Sequence, residues 1–342
     1  MQDDAILQFA NGFGLQYASV ISPPAWGQGK VRFLQLQDGS KLVVKEVAAA
    51  SALQSLPLNV ANELFDVLHQ HPLHLCLPNE INGAYVHEEG PRRFMVFPWL
   101  GGDVPAAPQW SLSLEEHVKF IATMNKELAS LPESLLRALK AFSFEVPFSS
   151  KAYRQRLSEA SLFLDDELCS ECDQLLKRRT SSWERDCFSQ LTHGDLQTSN
   201  IVRPLGERLI AIDVDNFTIA NRYSDFIFIL ASRGADESEF FRLSSLYEDL
   251  YDSSGGSLNS NQLTLAFHVC LGYMATIVRR LKSASLKAGR SLPDAGLGPM
   301  QENDLDWLRD ADPLCLDSVL IHMPRFRQAF AFLLREYAVG SQ

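Results

Sequence analysis

The chain has 342 residues, 46% hydrophobic and 21% charged, a globular composition that excludes a disordered or fibrous chain and, at roughly 150 residues per domain, suits about two domains. With 42 Asp and Glu against 31 Lys and Arg the net charge is −11, which repels phosphate backbones and argues against nucleic acid as a partner. There is no apolar run of about 18 residues to span a membrane, and the opening Met1–Ile6 lacks the basic and apolar regions of a signal peptide, so a cytoplasmic location is expected.

The predicted elements begin with β structure between Leu15 and Glu46. Val31–Gln37 and Lys41–Val47 flank Asp38-Gly39, a strong hairpin signal. From Ala48 to Gln70, Leu53, Leu56, Val60, Leu64 and Leu68 recur at helical intervals, with Glu63 among them. A second β stretch ends in Arg92–Leu100, where Gly101-Gly102 interrupts the pattern. A boundary there gives a small β-rich lobe, 1–99, and a larger, mainly helical lobe, 100–342. In the second, Ser113 and Glu116 form a capping box ahead of Val118, Ile121, Met124 and Leu128. A helix is expected from about Lys151 to Arg179. Short strands around Leu191 and over Leu209–Ile212 break the helical run, which resumes near Asp225–Ser232, Ser238–Tyr251 and Gln262–Lys287. Gly255-Gly256 and Gly289–Pro299 read as loops. A last helix from near Leu316 runs past Pro324, which should kink or break it.

Six cysteines in a chain of this length do not make a disulfide framework. Cys169 and Cys172 form a C-x-x-C without the βαβ context of a redox pair. His69, His71 and His74 have no Cys or carboxylate cluster at a zinc spacing, so they read as packed or solvated histidines.

The chemistry concentrates in two short segments, Leu191–Val202 and Leu209–Asp215. Asp195 precedes Asn200 by five positions, and Asp213 follows thirteen later at the end of an apolar strand-like run. This is the protein-kinase order H-R-D-L-x-x-x-N followed by a metal-binding Asp, with Gly194 in place of Arg. Phosphoryl transfer asks little covalent chemistry of a protein, so positioning and charge neutralisation dominate. Magnesium takes hard oxygen donors, and Asn200 and Asp213 offer a neutral and an anionic one. Asp195 is then available to orient an attacking hydroxyl and to accept its proton.

These residues resemble the aminoglycoside phosphotransferase and choline kinase family, small-molecule relatives of protein kinases. The family signature appears as His193-Gly194-Asp195, then Asn200, then Ile212-Asp213, with Ser224–Ile227 similar to the start of its following helix. The resemblance implies an α+β, two-lobed protein-kinase-like fold. It also implies ATP or another NTP as donor and Mg2+ as the cation. Asp195 is then the catalytic base, Asn200 and Asp213 are metal ligands, Asp215 is an accessory metal residue, and His193 supports the loop. Val43–Glu46 resembles the strand that carries the phosphate-pairing lysine, which makes Lys45 that lysine and Glu63 its ion-pair partner. The phosphate loop is reduced to Gly27 and Gly29. Adenine is expected against the lobe junction at Pro98 and Trp99.

The acceptor is a small molecule bearing a hydroxyl: an amino sugar, a sugar, an amino alcohol or an antibiotic. Asp304, Asp306 and Trp307, in an acidic stretch, are candidate contacts for a cationic acceptor. Two other classes compete. A Ser/Thr protein kinase would carry Asp-Phe-Gly and Ala-Pro-Glu segments around an activation loop, and neither is present. A catalytically silent nucleotide-binding protein would have no need of Lys45, Asp195, Asn200 and Asp213 together.

Overall fold

A computed structural model of the chain describes residues 5–22, 31–49, 51–101, 106, 108–109, 111–142, 150–161, 164, 166–167, 169–170, 190–206, 208–220, 222–252, 260–290 and 305–340. Two compact units emerge. The first comprises Met1–Ser113, Met124–Glu145 and Gln190–Ile219, and the second Leu114–Thr123, Val146–Ser189 and Ala220–Gln342.

The first unit is organised by an antiparallel sheet of β1 (Tyr17–Ile21), β2 (Val31–Leu36), β3 (Lys41–Glu46), β4 (Val86–Glu89) and β5 (Arg92–Pro98), in the order β1-β2-β3-β5-β4. Asp38-Gly39 turns β2 into β3 as expected. Gly39 takes the left-handed conformation (φ +86°), and Asp38 Oδ1 accepts the Ser40 amide at 2.9 Å. The register pairs Val31 with Lys45 and Phe33 with Val43. Side chains alternate across a strand. The even set (Leu34, Leu42, Val44, Phe94 and Val96) therefore shares one face, where it packs on Ile6, Phe9 and Ala10 of α1 (Ala5–Gly12). Phe9 stacks on Phe94 at 4.5 Å. Helix α1 has only eight residues, too few for its period to stand out in the sequence.

The single helix expected between Ala48 and Gln70 is two helices, α2 (Ala52–Ser55) and α3 (Leu58–His69). Pro57 is the cause. It cannot donate to a preceding carbonyl, and it holds Leu56 extended (φ −69°, ψ 147°). On α3 the buried stripe is Val60, Ala61, Leu64, Phe65 and Leu68. Glu63 falls on the opposite, exposed side. Asn62 ties α3 to the sheet, its Oδ1 accepting the Tyr85 amide at 2.6 Å and the Val86 amide at 3.0 Å.

Helix α4 (Leu114–Ala129) begins one residue after Ser113, where the capping box places it, and α5 (Glu133–Lys140) follows. Four short strands come later in the chain: β6 (Gln190–Thr192), β7 (Ile201–Val202), β8 (Ile210–Ala211) and β9 (Thr218–Ala220).

The second unit is helical. It contains α6 (Ser150–Ala160), α7 (Ser224–Arg233), α8 (Glu237–Asp252), α9 (Ser260–Lys287), α10 (Asp306–Ala311), α11 (Pro313–Asp317) and α12 (Met323–Gly340). Helix α9 packs against α6, α7 and α12. Phe228 stacks on Tyr273 at 4.0 Å, and Tyr273 on Phe326 at 5.4 Å. Of the helix expected over 151–179, the described part is α6 and most of the remainder lies outside the described residues, Cys172 included. Pro324 does not break the last helix. The helical run continues without a break from Pro313 through Pro324 to Gly340, and the irregularity is a π-helical turn at Ser318–His322 immediately before Met323 and Pro324. Among the described residues no helix is long and apolar enough to cross a membrane.

Candidate active site

The segment that runs from β6 to β7 is held by backbone and side-chain bonds within the first unit. From β6 the chain enters His193-Gly194-Asp195, passes a 3-10 turn at Thr198–Asn200 and continues into the β7–β8 pair. Asn200 Nδ2 donates to the Asp195 carbonyl at 2.8 Å and to Asp195 Oδ2 at 3.2 Å. The Ile212 amide donates to the Asn200 carbonyl at 2.8 Å, which places Asn200 and Asp213 at the same end of the β7–β8 pair. Fully buried His193 donates from Nε2 to the Ile212 carbonyl at 2.9 Å, tying the loop to the strand that delivers Asp213. Burial lowers the His193 pKa to about 4, with the nearby Asp195 charge opposing it, so the ring is neutral at physiological pH.

Gly194 stands where a protein kinase has Arg, and the geometry gives two reasons. Its φ is +80°, and a Cβ there would lie 2.2 Å from the Asn216 carbonyl oxygen. Asp213 is itself left-handed (φ 68°, ψ 55°), a conformation that costs a non-glycine residue on the order of 1–3 kcal/mol and concentrates at functional sites. The bend turns Asp213 toward Lys45. On the other side, the segment around His74 pairs with β8. The Ala211 amide donates to the His74 carbonyl at 2.9 Å and the Cys76 amide to the Ala211 carbonyl at 2.8 Å. Glu127 fixes that segment by accepting the His74 amide at 2.8 Å and pairing with its Nδ1. His69 donates to the Pro78 carbonyl and stacks on Tyr85. These two histidines are thus structural, and among the described residues no cluster of three His, Cys, Asp or Glu is placed to hold a metal.

A cleft of about 260 Å³ opens between the odd-numbered face of the sheet and the β7–β8 pair. Val31, Phe33, Val43 and Phe97 line it from the sheet, Pro98, Trp99 and Leu100 from the chain after β5, and Val202 and Ile212 from the later strands. Its polar end is Lys45, Asn200 and Asp213. Lys45 Nζ donates to Asp213 Oδ1 and, at 2.8 Å, to Asp215 Oδ1. Burial works against the Lys45 charge, but the two carboxylates outweigh it and raise its pKa. Burial, reinforced by the hydrogen bond and charge of Asp215, pushes Asp213 up. Burial acts on Asp215 too, but the hydrogen bond with Asp213 and the charge and hydrogen bond of Lys45 hold it below the usual range.

Sequence-predicted residues thus divide into groups. Lys45, Asn200, Asp213, Pro98 and Trp99 line one cleft, and Asp195 joins it through Asn200. Glu63 is not the partner of Lys45. It faces away on α3, and the acids on the lysine are Asp213 and Asp215. Gly27, Gly29 and Asp304 lie outside the described residues. Asp306 is exposed and 3.5 Å from Arg309, and Trp307 carries the Arg290 guanidinium 5.6 Å over its ring, so both already have cationic partners within the chain. Sequence reasoning missed Gln197, which donates to Asp195 Oδ1 at 2.6 Å. It also missed the cleft walls Val31, Phe33 and Val43, which strand parity with Lys45 could have identified.

The donor set fits a hard cation. Asn200 spends its amide nitrogen on Asp195, which leaves Oδ1 as the ligand atom, and Asp213 supplies a carboxylate at the same cleft end. Two protein oxygens suffice for magnesium, which completes its octahedron with phosphates and water.

Comparison with known proteins bears on this geometry. The model of the phosphotransferase enzyme family (APH) matches residues 20–253. No curated protein matches the sequence significantly. Among solved structures, an aminoglycoside phosphotransferase from Alicyclobacillus acidocaldarius is 14% identical, with 95% of each chain covered and a TM-score of 0.56. The macrolide 2′-phosphotransferase MphH from Brachybacterium faecium is 17% identical, over 83% of this chain and 96% of its own, at 0.54. An amicoumacin kinase, solved with AMP-PNP, Ca2+ and Ami, is 16% identical over 93% of each chain at 0.53. At these identities the likeness is one of fold, the protein-kinase-like α+β arrangement.

Proposed function

The chain belongs to the APH phosphotransferase enzyme family, and from that premise we propose that it is an ATP-dependent kinase that moves the γ-phosphate to a hydroxyl of a small acceptor. The observation that carries the reading is the meeting of Lys45, Asn200 and Asp213 at the polar end of one apolar-walled cleft, with Asp195 hydrogen-bonded to Asn200. In this reading residues 1–99 form the nucleotide lobe and 100–342 the catalytic and acceptor lobe.

The adenine base enters among Val31, Val43, Val202 and Ile212 and meets backbone groups around Pro98 and Trp99. Its triphosphate runs toward Lys45, whose ammonium pairs with phosphate oxygens. Mg2+ bound through Asn200 and Asp213 supplies charge neutralisation for the transferring group. Asp195, fixed by Asn200 and Gln197, accepts a hydrogen bond from the acceptor hydroxyl and takes its proton as that oxygen bonds to the γ-phosphorus and the bond from phosphorus to the bridging oxygen breaks, releasing ADP. His193, neutral and buried, keeps the loop and the Asp213 strand in register and moves no proton.

Two relatives carry antibiotic substrates in their names, a macrolide and amicoumacin, which favours antibiotics, amino sugars, sugars and amino alcohols as the acceptors to screen first. The test is release of ADP from ATP and Mg2+ in the presence of such compounds. Acceptor-dependent ADP release supports the reading; absence of ATP binding with Mg2+ contradicts it.

A further inference from the structure

A kinase-type lysine needs a fixed acid to hold it toward the phosphates, and the sequence places Glu63 in that role. The structure leaves α3 without an acid on Lys45. Glu63 and Asp66 both sit on its exposed side. Two carboxylates do reach Lys45, and they differ in every other respect. Asp213 lines the cleft and its side chain is 34% exposed. Asp215 is outside the cleft lining and 1% exposed. Both of its oxygens are engaged by protein donors from one segment: Oδ1 by Lys45 Nζ at 2.8 Å, and Oδ2 by the Ala48 amide at 3.2 Å.

The geometry points to a division of labour in which Asp213 meets the metal from the cleft while Asp215 is the positioning residue that anchors Lys45 from behind. This assignment rests on the kinase reading above and replaces the accessory metal role expected for Asp215. It follows from access and valence. A cation arriving with nucleotide comes through the cleft, where Asp213 is presented. Asp215 is buried behind Asp213, and moving toward the cleft means giving up the amide bond that ties it to the segment after β3. When Asp213 turns to a metal, Lys45 loses one of its two acids and keeps the buried one, so the ammonium stays at a fixed place for the phosphates. The Ala48 bond makes the anchor rigid, because β3 and the turn after Asp213 are then linked at both atoms of one carboxylate.

Equilibrium binding of a fluorescent ATP analogue to the full chain, in EDTA and in excess Mg2+, separates the two acids. Wild type binds more tightly with Mg2+. Asp215→Asn should weaken binding about tenfold with Mg2+, when Asp213 has turned to the metal, and less in EDTA, when Asp213 still holds Lys45. Lys45→Met should weaken binding in both conditions and keep a gain from Mg2+, and the double variant should match Lys45→Met in both, since Asp215 acts only through Lys45. Asp213→Asn should instead abolish the gain. Melting curves check folding. If Asp215→Asn does not fold, Lys45→Met/Asp215→Asn leaves neither charge of the pair behind and carries the test alone, its Mg2+ gain expected to survive. Loss of the gain in the double variant, where Lys45→Met alone keeps it, overturns the anchor role. Failure of wild type to bind the analogue in either condition overturns the kinase reading itself, a separate result.

Discussion

The two faces of the five-stranded sheet are built from alternate residues of the same strands, yet they are put to different uses. The even face, with Leu34, Val44 and Phe94, is closed by α1. Its centre is apolar and serves burial, with Arg32 and Glu46 towards the strand ends. The odd face, with Val31, Phe33, Val43 and Phe97, is left as a cleft wall and presents Lys45 at one end. Neighbouring side chains on β3, Val44 and Lys45, therefore answer to different constraints. Changes on the even face should be read in stability, and changes around the cleft in binding and turnover.

The largest separation should come from Asp195→Asn and Phe9→Ala. The first is expected to lower kcat about 10³-fold, the range for loss of a positioned base, with ATP–Mg2+ affinity within a few-fold of wild type and an unchanged melting temperature. Steady-state kinetics beside titration calorimetry checks it. The second removes a fully buried ring stacked on Phe94 and should cost about 3–5 kcal/mol in denaturant unfolding, while the folded fraction keeps the wild-type KM for ATP. A change in KM for Phe9→Ala would mean that the faces communicate.

Gly194→Ala tests the link between the loop and the strand that leads to Asp213. The added methyl meets the Asn216 carbonyl at a backbone angle unfavourable to L residues, so about 1–2 kcal/mol of stability should be lost for the angle alone, and more for the clash. Turnover should fall further than ATP affinity, because the displaced atoms adjoin Asp195 and not the adenine end of the cleft.

The smallest effect is a pH dependence. His193 is neutral and buried, and its folded pKa lies below the ordinary value of about 6.5. As pH falls below about 6.5 the unfolded chain takes up a proton that the folded chain refuses, so this contribution to stability is present above that pH and is lost toward about 4. His193→Gln, which can still donate to the Ile212 carbonyl, should cost about 1 kcal/mol at neutral pH and flatten this acid limb in urea melts at pH 5 and 7. An equally steep limb in the variant would place the dependence elsewhere.

Much of this arrangement was legible from residues alone because it is local. Asp195, Asn200 and Asp213 are spaced within one supersecondary unit, and Asp38-Gly39 sets the β2–β3 register that brings Lys45 opposite Val31. The rest depends on facts that spacing does not carry. Whether an acid of α3 reaches Lys45 is decided by how that helix packs on the sheet, and Glu63 lies on its exposed side. The partner of Asp215 depends on the left-handed turn at Asp213 and on an amide at Ala48, far away in sequence. Acidic residues beside Trp307 looked like a cage for a cation, but the cation over that ring is Arg290 of the same chain.

Central to the account is that Asn200 and Asp213 hold a cation that strengthens nucleotide binding in the cleft with Lys45. The direct measurement is the thermal shift of the full chain with ATP, in Mg2+ and in EDTA, for wild type and Asp213→Asn. A larger ATP-induced rise with Mg2+ in wild type, absent in the variant, is the predicted result. An equal rise in both proteins, or no rise in wild type, would contradict it.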